Sequence, residues 1–259
     1  MHDARSLSQR RFSDLTENYV QSQLHSGGYT LERLIALLQP LTDKLALDVA
    51  TGGGHVALRL AQSGAHVLAS DLTPAMLKAA RANLQRQSAE VSYVQLEASH
   101  LPFRTASLDV ITVRHAAHHF PDVPRFLSQC ARTLKFEGKL GIVDQIAPEP
   151  LKAARYVNAF ERLRDPSHYQ QYRLSDWHAM LRAAGLEITH SEVAVTRLDL
   201  YSWAHLQKND AETVLRLRVL LHQAPQAVRE FLKPTFHQDG SGNISFDHHY
   251  AILIGRKAQ

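Results

Sequence analysis

Cysteine is almost missing from this chain. The single Cys130 can form neither an internal disulfide nor a cysteine-rich zinc site, and so little cysteine suits a reducing compartment. Long apolar runs are missing as well, since none approaches the roughly 20 residues that span a bilayer. The start, Met1-His2-Asp3-Ala4-Arg5-Ser6, lacks the basic-then-apolar pattern of a secretory leader, so a cytoplasmic location is expected. There is no internal repeat and no low-complexity tract. The pI is about 9.2, yet basic residues are dispersed, with Arg10-Arg11 and Arg216-x-Arg218 the nearest approach to a cluster. A nucleic-acid binder concentrates such charge in a patch or stripe. What the chain has in surplus is histidine, 16 residues against a formal net charge of +4. Its 259 residues, 44% hydrophobic, suit one large domain or two small ones and exclude a disordered or collagen-like chain.

Short apolar runs alternate with helical patterns over residues 1–147. Leu45 to Ala50 reads as a buried strand ending in Thr51-Gly52-Gly53-Gly54. Val56 to Ser63 reads as a helix closed by Gly64. His66 to Ser70 is a second strand, and Thr73-Pro74 opens the next helix as N-cap and first-turn proline. Val91–Leu96, Leu108–Val113 and Lys139–Asp144 supply three more strands, with a helix over Phe126–Leu134 before the last. This rhythm predicts a doubly wound, mostly parallel sheet with right-handed crossovers, binding its ligand beyond the carboxyl ends of the strands. Glu187–Val195 and Asn243–Ile254 lack that rhythm and read as an antiparallel addition at the sheet edge. Residues 1–44, 148–185 and 201–233 look mainly helical and are placed over the active-site end.

The glycine loop after the first strand lets backbone N–H groups approach a ligand, and the helix it opens favours negative charge. Asp71, directly after the second strand, is placed to accept both hydroxyl protons of a ribose. The loop runs Ala50-x-Gly52-x-Gly54 and does not fit the dinucleotide fingerprint. Its tighter spacing suits a cofactor that brings a carboxylate to the loop, not a pyrophosphate.

At these residues the chain resembles the class I S-adenosylmethionine (SAM)-dependent methyltransferases. Within them it resembles the small-molecule type with a methyltransferase type 11 domain, similar to ubiquinone and menaquinone C-methyltransferases. Leu47-Asp-Val-Ala-Thr-Gly-Gly-Gly-His55 looks like the first motif, with Ala50 where glycine is usual. Asp71-Leu72 resembles the ribose acid and the apolar residue beside adenine. Glu97-Ala98-Ser99 resembles the segment facing the adenine amino group, with Glu97 where Asp is usual. Leu134-Lys-Phe-Glu-Gly-Lys-Leu140 stands where a Leu-Lys-Pro-Gly-Gly turn is common. Phe12 to Gly28 and Leu163-Arg-Asp-Pro-Ser-His168 resemble an amino-terminal lid and an inner segment of one bacterial subgroup.

The resemblance implies a Rossmann-like α/β fold with a seven-stranded sheet, an antiparallel edge strand and helical lid additions. It divides the chain into a lid (1–44), a cofactor core (45–147) and substrate-side helices with the last strands of the same domain (148–259). The implied cofactor is SAM, with S-adenosyl-L-homocysteine as product, held by Tyr19, Asp48, Ala50, Thr51, Gly52, Gly54, Asp71, Leu72, Met76, Glu97, Ala98, Ser99 and Arg114. The expected acceptor is a small molecule methylated on O, C or N, with a phenol- or quinone-like compound in view. Its expected contacts are His25, His115, Asp144, Arg164 and His168.

Methyl transfer from a sulfonium is an in-line displacement in which the positive charge on sulfur disappears, so the protein's task is alignment and desolvation. An acceptor carrying a proton also needs a base, and histidine titrates in the right range. His115, His118 and His119 follow the fourth strand, and one helical turn would gather them on one side. His118 or His119 is the candidate base, with no choice between them. The same histidines also suit a structural role beside the cofactor. As metal ligands they lack a third partner, though Asp122 is near. His248-His249 point to opposite faces of a strand and are expected in surface or pairing roles. Two other functions stay open. One is a SAM-fold cyclase, decarboxylase or regulatory binder. The other is an RNA methyltransferase, against which stands the absence of an Asn/Asp-Pro-Pro-aromatic motif after the fourth strand. The chain is expected to be a monomer or homodimer without a nucleic-acid partner.

Overall fold

The structure, a computed structural model, describes residues 28–238 and 242–258. Helix α1 (Tyr29–Leu38) leads into β1 (Leu45–Val49), α2 (His55–Gln62), β2 (His66–Asp71), α3 (Pro74–Arg86) and β3 (Val91–Gln95). Then come β4 (Leu108–Arg114), a short 3-10 turn (Ala117–His119), α4 (Val123–Thr133) and β5 (Leu134–Ala147). The remainder is α5 (Leu151–Arg164), the two-residue β6 (Tyr172–Arg173), α6 (Leu174–Ala183), β7 (Leu186–Asp199), α7 (Leu200–His205), α8 (Ala211–His222), α9 (Gln226–Leu232), β8 (Thr235–Phe236) and β9 (Ile244–Lys257). The main sheet runs β3-β2-β1-β4-β5-β9-β7. β1 to β5 are mutually parallel, and β9 is antiparallel to both its neighbours. The doubly wound α/β sheet is therefore present, with one change of detail. The antiparallel strand stands one place in from the edge, because β7 pairs outside β9 through a ladder from Leu186↔Lys257 to Asp199↔Ser245.

Strand alternation sorts the core into two faces. Leu47, Val49, Ile111, Val113 and Ile142 meet Phe126 and Leu127 of α4 and Trp177 and Leu181 of α6. Ala46, Val67, Val110, Val143 and Ile252 meet α1, α2 and α3 on the other. Strands buried on both faces explain why these segments read as continuous apolar runs. Helix α1 is a layer of this core. Its stripe of Leu31, Leu34 and Leu38 is buried, and it lies so close to β5 that a Cβ on Gly141 would come within 2.7 Å of Leu34 Cδ1. The part of the proposed lid at residues 29–38 thus covers the sheet face, with Thr30 at its start accepting from the cleft-lining Arg114.

A third apolar cluster lies outside the parallel repeat. Val157 and Phe160 of α5 pack with Leu200, Trp203, Leu217, Leu221, Val228 and Leu232, and with Ile244 and Phe246 at the start of β9. Phe160 stacks on Trp203 at 5.2 Å between ring centroids. Leu217 and Leu221 are core, whereas Leu215 of the same helix is exposed. β5 is longer than its apolar stretch because it begins directly at the end of α4, at Leu134, and absorbs the departure at Phe136 and Glu137 with a positive φ of 61° at Glu137. Among the described residues, no helix is long and apolar enough to cross a membrane.

Candidate active site

The carboxyl ends of β1, β2 and β4 open into a cleft. Its floor is the turn after β1. Ala50 (φ 53°) and Gly52 (φ 52°) both adopt the left-handed conformation. Thr51 N donates to Ser70 O at 2.8 Å, tying the turn to β2. Among the described residues, nothing lies within 4 Å of a Cβ built on Gly52. Gly54 (φ 81°) faces the other way, where a Cβ would meet Leu84 Cδ1 at 3.0 Å, so this glycine serves the approach of α3 and does not line the cleft.

Asp48 and Asp71 hold the loop from two sides. Asp48 is buried and accepts from Thr51 Oγ1 at 2.6 Å and Thr112 Oγ1 at 2.8 Å. Burial outweighs these bonds and pushes its pKa up to about 6. Asp71 accepts from the backbone N–H of Gly52 at 3.1 Å and of Thr73 at 2.9 Å. Burial raises its pKa against these backbone bonds. The Leu72 N–H and the Thr73 side chain also bond to this carboxylate, which lines the cleft. Thr73 stands at the N-cap of α3, but its side chain makes no capping bond. The cleft is also lined by Leu72, Met76, Glu97, Ala98, Ser99 and Arg114. Ser99 Oγ donates to Glu97 at 2.5 Å. Arg114 donates to Thr30 Oγ1 at 3.3 Å, and burial lowers its pKa to about 10.

The far wall carries histidines, in a different arrangement from one helical turn. His115 has φ 53° and precedes the turn. Its N–H donates to Val143 O and its ring meets Tyr250 edge-on at 4.8 Å. The reason is the exit from β4, where His115 N still bonds to β5 and the chain reverses before the 3-10 turn begins. His118 and His119 then diverge. His119 lines the cleft, whereas His118 does not. The backbone N–H of His118 donates to Asp144 Oδ2 at 2.7 Å, and its ring Nδ1 lies 2.6 Å from Oδ1. Burial and the neighbouring His119 hold the His118 pKa well below the usual imidazole value, and burial lifts that of Asp144 to about 7. At this separation a hydrogen lies between Nδ1 and Oδ1. His119 Nδ1 lies 3.0 Å from Ser167 O. A carbonyl only accepts, so Nδ1 carries a hydrogen, and in the neutral ring the lone pair is then on Nε2.

His168, Asp144 and Arg164, expected at the acceptor, lie off the cleft lining. His168 is buried, donating from Nε2 to Asn158 Oδ1 at 2.9 Å and accepting from Gln145 at 3.2 Å. Burial and His118 push its pKa down to about 3. Arg164 lies over the Trp203 ring at 4.4 Å and donates to Trp203 O. Tyr19 and His25 lie outside the described residues. His248, expected in a surface or pairing role, is buried and paired with Glu161, Nε2 to Oε1 at 2.9 Å. It projects inward beneath α5, whereas His249 stacks on Phe231 at 4.0 Å and bonds to its carbonyl. Sequence reasoning gave no site role to His55, Phe120 or Pro121 and named Asp122 only as a carboxylate near the histidines, yet all four line the cleft. All four adjoin or lie within motif segments, so position alone was the available signal. Asp122 caps α4 by accepting from Arg125 N at 2.9 Å.

Comparison with known proteins agrees with this geometry. A methyltransferase domain family (Methyltransf_11) matches residues 47–142. The uncharacterized methyltransferase YcgJ of Bacillus subtilis is 32% identical over 236 residues, 91% of this chain and 93% of that one. Its crystal structure superposes with a TM-score of 0.85, covering 89% and 98% of the two chains. A candidate methyltransferase from Bacillus halodurans gives the same TM-score at 33% identity, over 90% of this chain and all of that one. A ubiquinone biosynthesis O-methyltransferase of Xanthomonas oryzae is 33% identical over 175 residues, 65% of this chain and 73% of its own length. The chain belongs to the class I SAM-dependent methyltransferase family.

Proposed function

We propose that the cleft binds SAM and that the chain transfers its methyl group to a small phenol- or quinone-like acceptor, with His119 as the base. The observation behind this reading is one continuous cleft with an open glycine turn and the Asp71 carboxylate at one end and the His119 ring at the other. The turn presents backbone N–H groups at the start of α2, where a carboxylate is favoured. Asp71 lines the cleft at the end of β2, where both ribose hydroxyls would lie, and Glu97 with Ser99 stands where the adenine edge would lie. The bound cofactor supplies an electrophilic methyl on a sulfonium.

This chain's residues then have three tasks. Arg114, Met76 and Leu72 wall the cleft and exclude water. His115, Ala116, Phe120 and Pro121 give the far end a mainly apolar surface against which a flat acceptor packs. His119 takes the acceptor's hydroxyl proton on Nε2 as the nucleophile attacks, while Nδ1–H stays on Ser167. His118 is committed to Asp144, so His119 is preferred. Similarity to a ubiquinone biosynthesis O-methyltransferase supports the acceptor class. The test is transfer of labelled methyl from SAM to a panel of phenols and hydroquinones by the wild-type chain and by His119→Gln. Transfer that depends on His119 is expected. Binding of SAM with no transfer to any hydroxylated acceptor would favour a non-methylating role.

A further inference from the structure

The Arg-Asp-Pro-Ser-His stretch at 164–168 follows α5, and its side chains lie off the cleft lining. It nevertheless grips the histidine turn at several points. Asp165 and Ser167 are almost fully buried, at 3% and 6% exposure. Asp165 Oδ1 accepts from Ser167 N at 2.9 Å and Ser167 Oγ at 2.6 Å. Its other oxygen accepts from Gln207 Nε2 at 2.9 Å. Fixed in this way, Ser167 directs its carbonyl at His119 Nδ1, 3.0 Å away, with Oγ at 3.4 Å sharing the same hydrogen. The next two backbone N–H groups, of Tyr169 and Gln170, both donate to His118 O at 2.9 Å.

We infer that Asp165 is a positioning residue that, through the Ser167 carbonyl, locks His119 in the tautomer with hydrogen on Nδ1 and the lone pair on Nε2. This rests on the base role proposed for His119. A neutral imidazole has one acceptor nitrogen, and the hydrogen bond made by the other decides which it is. A base must present its lone pair to the proton it takes, so a ring free to exchange tautomers spends part of its time inactive. The Asp165 turn removes that freedom. Its carboxylate also stays charged. Burial works to raise its pKa, but His119, the Ser167 bonds and Arg164 together hold it below the usual carboxylate range. A negative charge two bonds behind the ring supports the imidazolium formed when Nε2 takes the proton.

The alternative is that Asp165 only ends α5. Two variants separate the possibilities. Asp165→Asn keeps an oxygen that accepts from Ser167, whereas Asp165→Ala removes it. Imidazole 15N spectra of the full chain, with the His119 signals assigned by their loss in His119→Gln, report the tautomer without reference to activity. The expected result is Nδ1–H in the wild type and in Asp165→Asn. For Asp165→Ala a tautomer mixture is expected, with kcat lowered roughly tenfold and SAM affinity within twofold of wild type. An Nε2–H tautomer in the wild type would overturn the inference even if Asp165→Ala did not fold, and so would an unchanged Nδ1–H signal in a folded Asp165→Ala. Failure of the base reading looks different: His119→Gln would keep its methyl transfer while the wild-type ring still showed Nδ1–H.

Discussion

In the cleft, the polar groups come from strand ends close together in the chain or directly beside each other in the sheet. Asp48 bonds to Thr51, Asp71 to Gly52 and Thr73, and Ser99 to Glu97. Behind the histidine turn, similar chemistry is gathered from distant segments: His118 meets Asp144, His168 meets Gln145 and Asn158, and Glu161 meets His248 across 87 positions. The first region keeps polar groups accessible to a ligand. The second pairs most of them with one another, as burial away from water favours, although His248 Nδ1 has no hydrogen-bond partner among the described residues. The same residue types thus serve binding in one region and support in the other, and accessibility to the cleft separates the two neighbours His118 and His119.

The difference can be broken at graded points. Replacing the cleft histidine proposed as base, His119→Gln, is expected to lower kcat by about 10²–10⁴, the usual range for a general base, with SAM affinity within twofold by calorimetry. His248→Leu strands the Glu161 carboxylate in the interior. A loss of about 3 kcal/mol in denaturant unfolding is expected, since removing one partner of a buried pair leaves the other uncompensated.

The smallest effect is a pH dependence. His168 is held at about 3 in the fold and returns to about 6.5 on unfolding. Its neutral native form therefore costs nothing above pH 6.5, and stability is lost as pH falls from there towards 3, about 2 kcal/mol by pH 5. Asp48 and Asp144, raised to about 6 and about 7, act in the opposite sense and favour the fold as they protonate. Comparing wild type with His168→Gln isolates the histidine. The variant is expected to lose less stability between pH 7 and pH 5, and parallel stability curves would contradict this.

The two regions also differ in how far they could be read from the chain. The cleft was legible because its residues sit in short ordered segments after buried strands, where a turn and an acid at fixed places have few other uses. Gly54 shows the limit of such reading. It belongs to the loop, but its missing side chain makes room for Leu84. The polar interior was not legible, since nothing local distinguishes Glu161 from another helical glutamate. Its burial depends on α5 packing over β9, which also turns His248 inward. The separation of His118 from His119 depended on a similar detail, the left-handed residue at His115 that replaces an expected helical turn with a shorter one.

The central claim is that the glycine turn and Asp71 form a SAM site. Calorimetric titration of SAM and of S-adenosyl-L-homocysteine into the wild-type chain and into Asp71→Ala tests it most directly. Saturable binding of both ligands to the wild type is predicted, weakened roughly 100-fold in the variant as two charge-assisted hydrogen bonds are lost. No binding of either ligand at millimolar concentration, or equal affinity in the two proteins, would contradict the account.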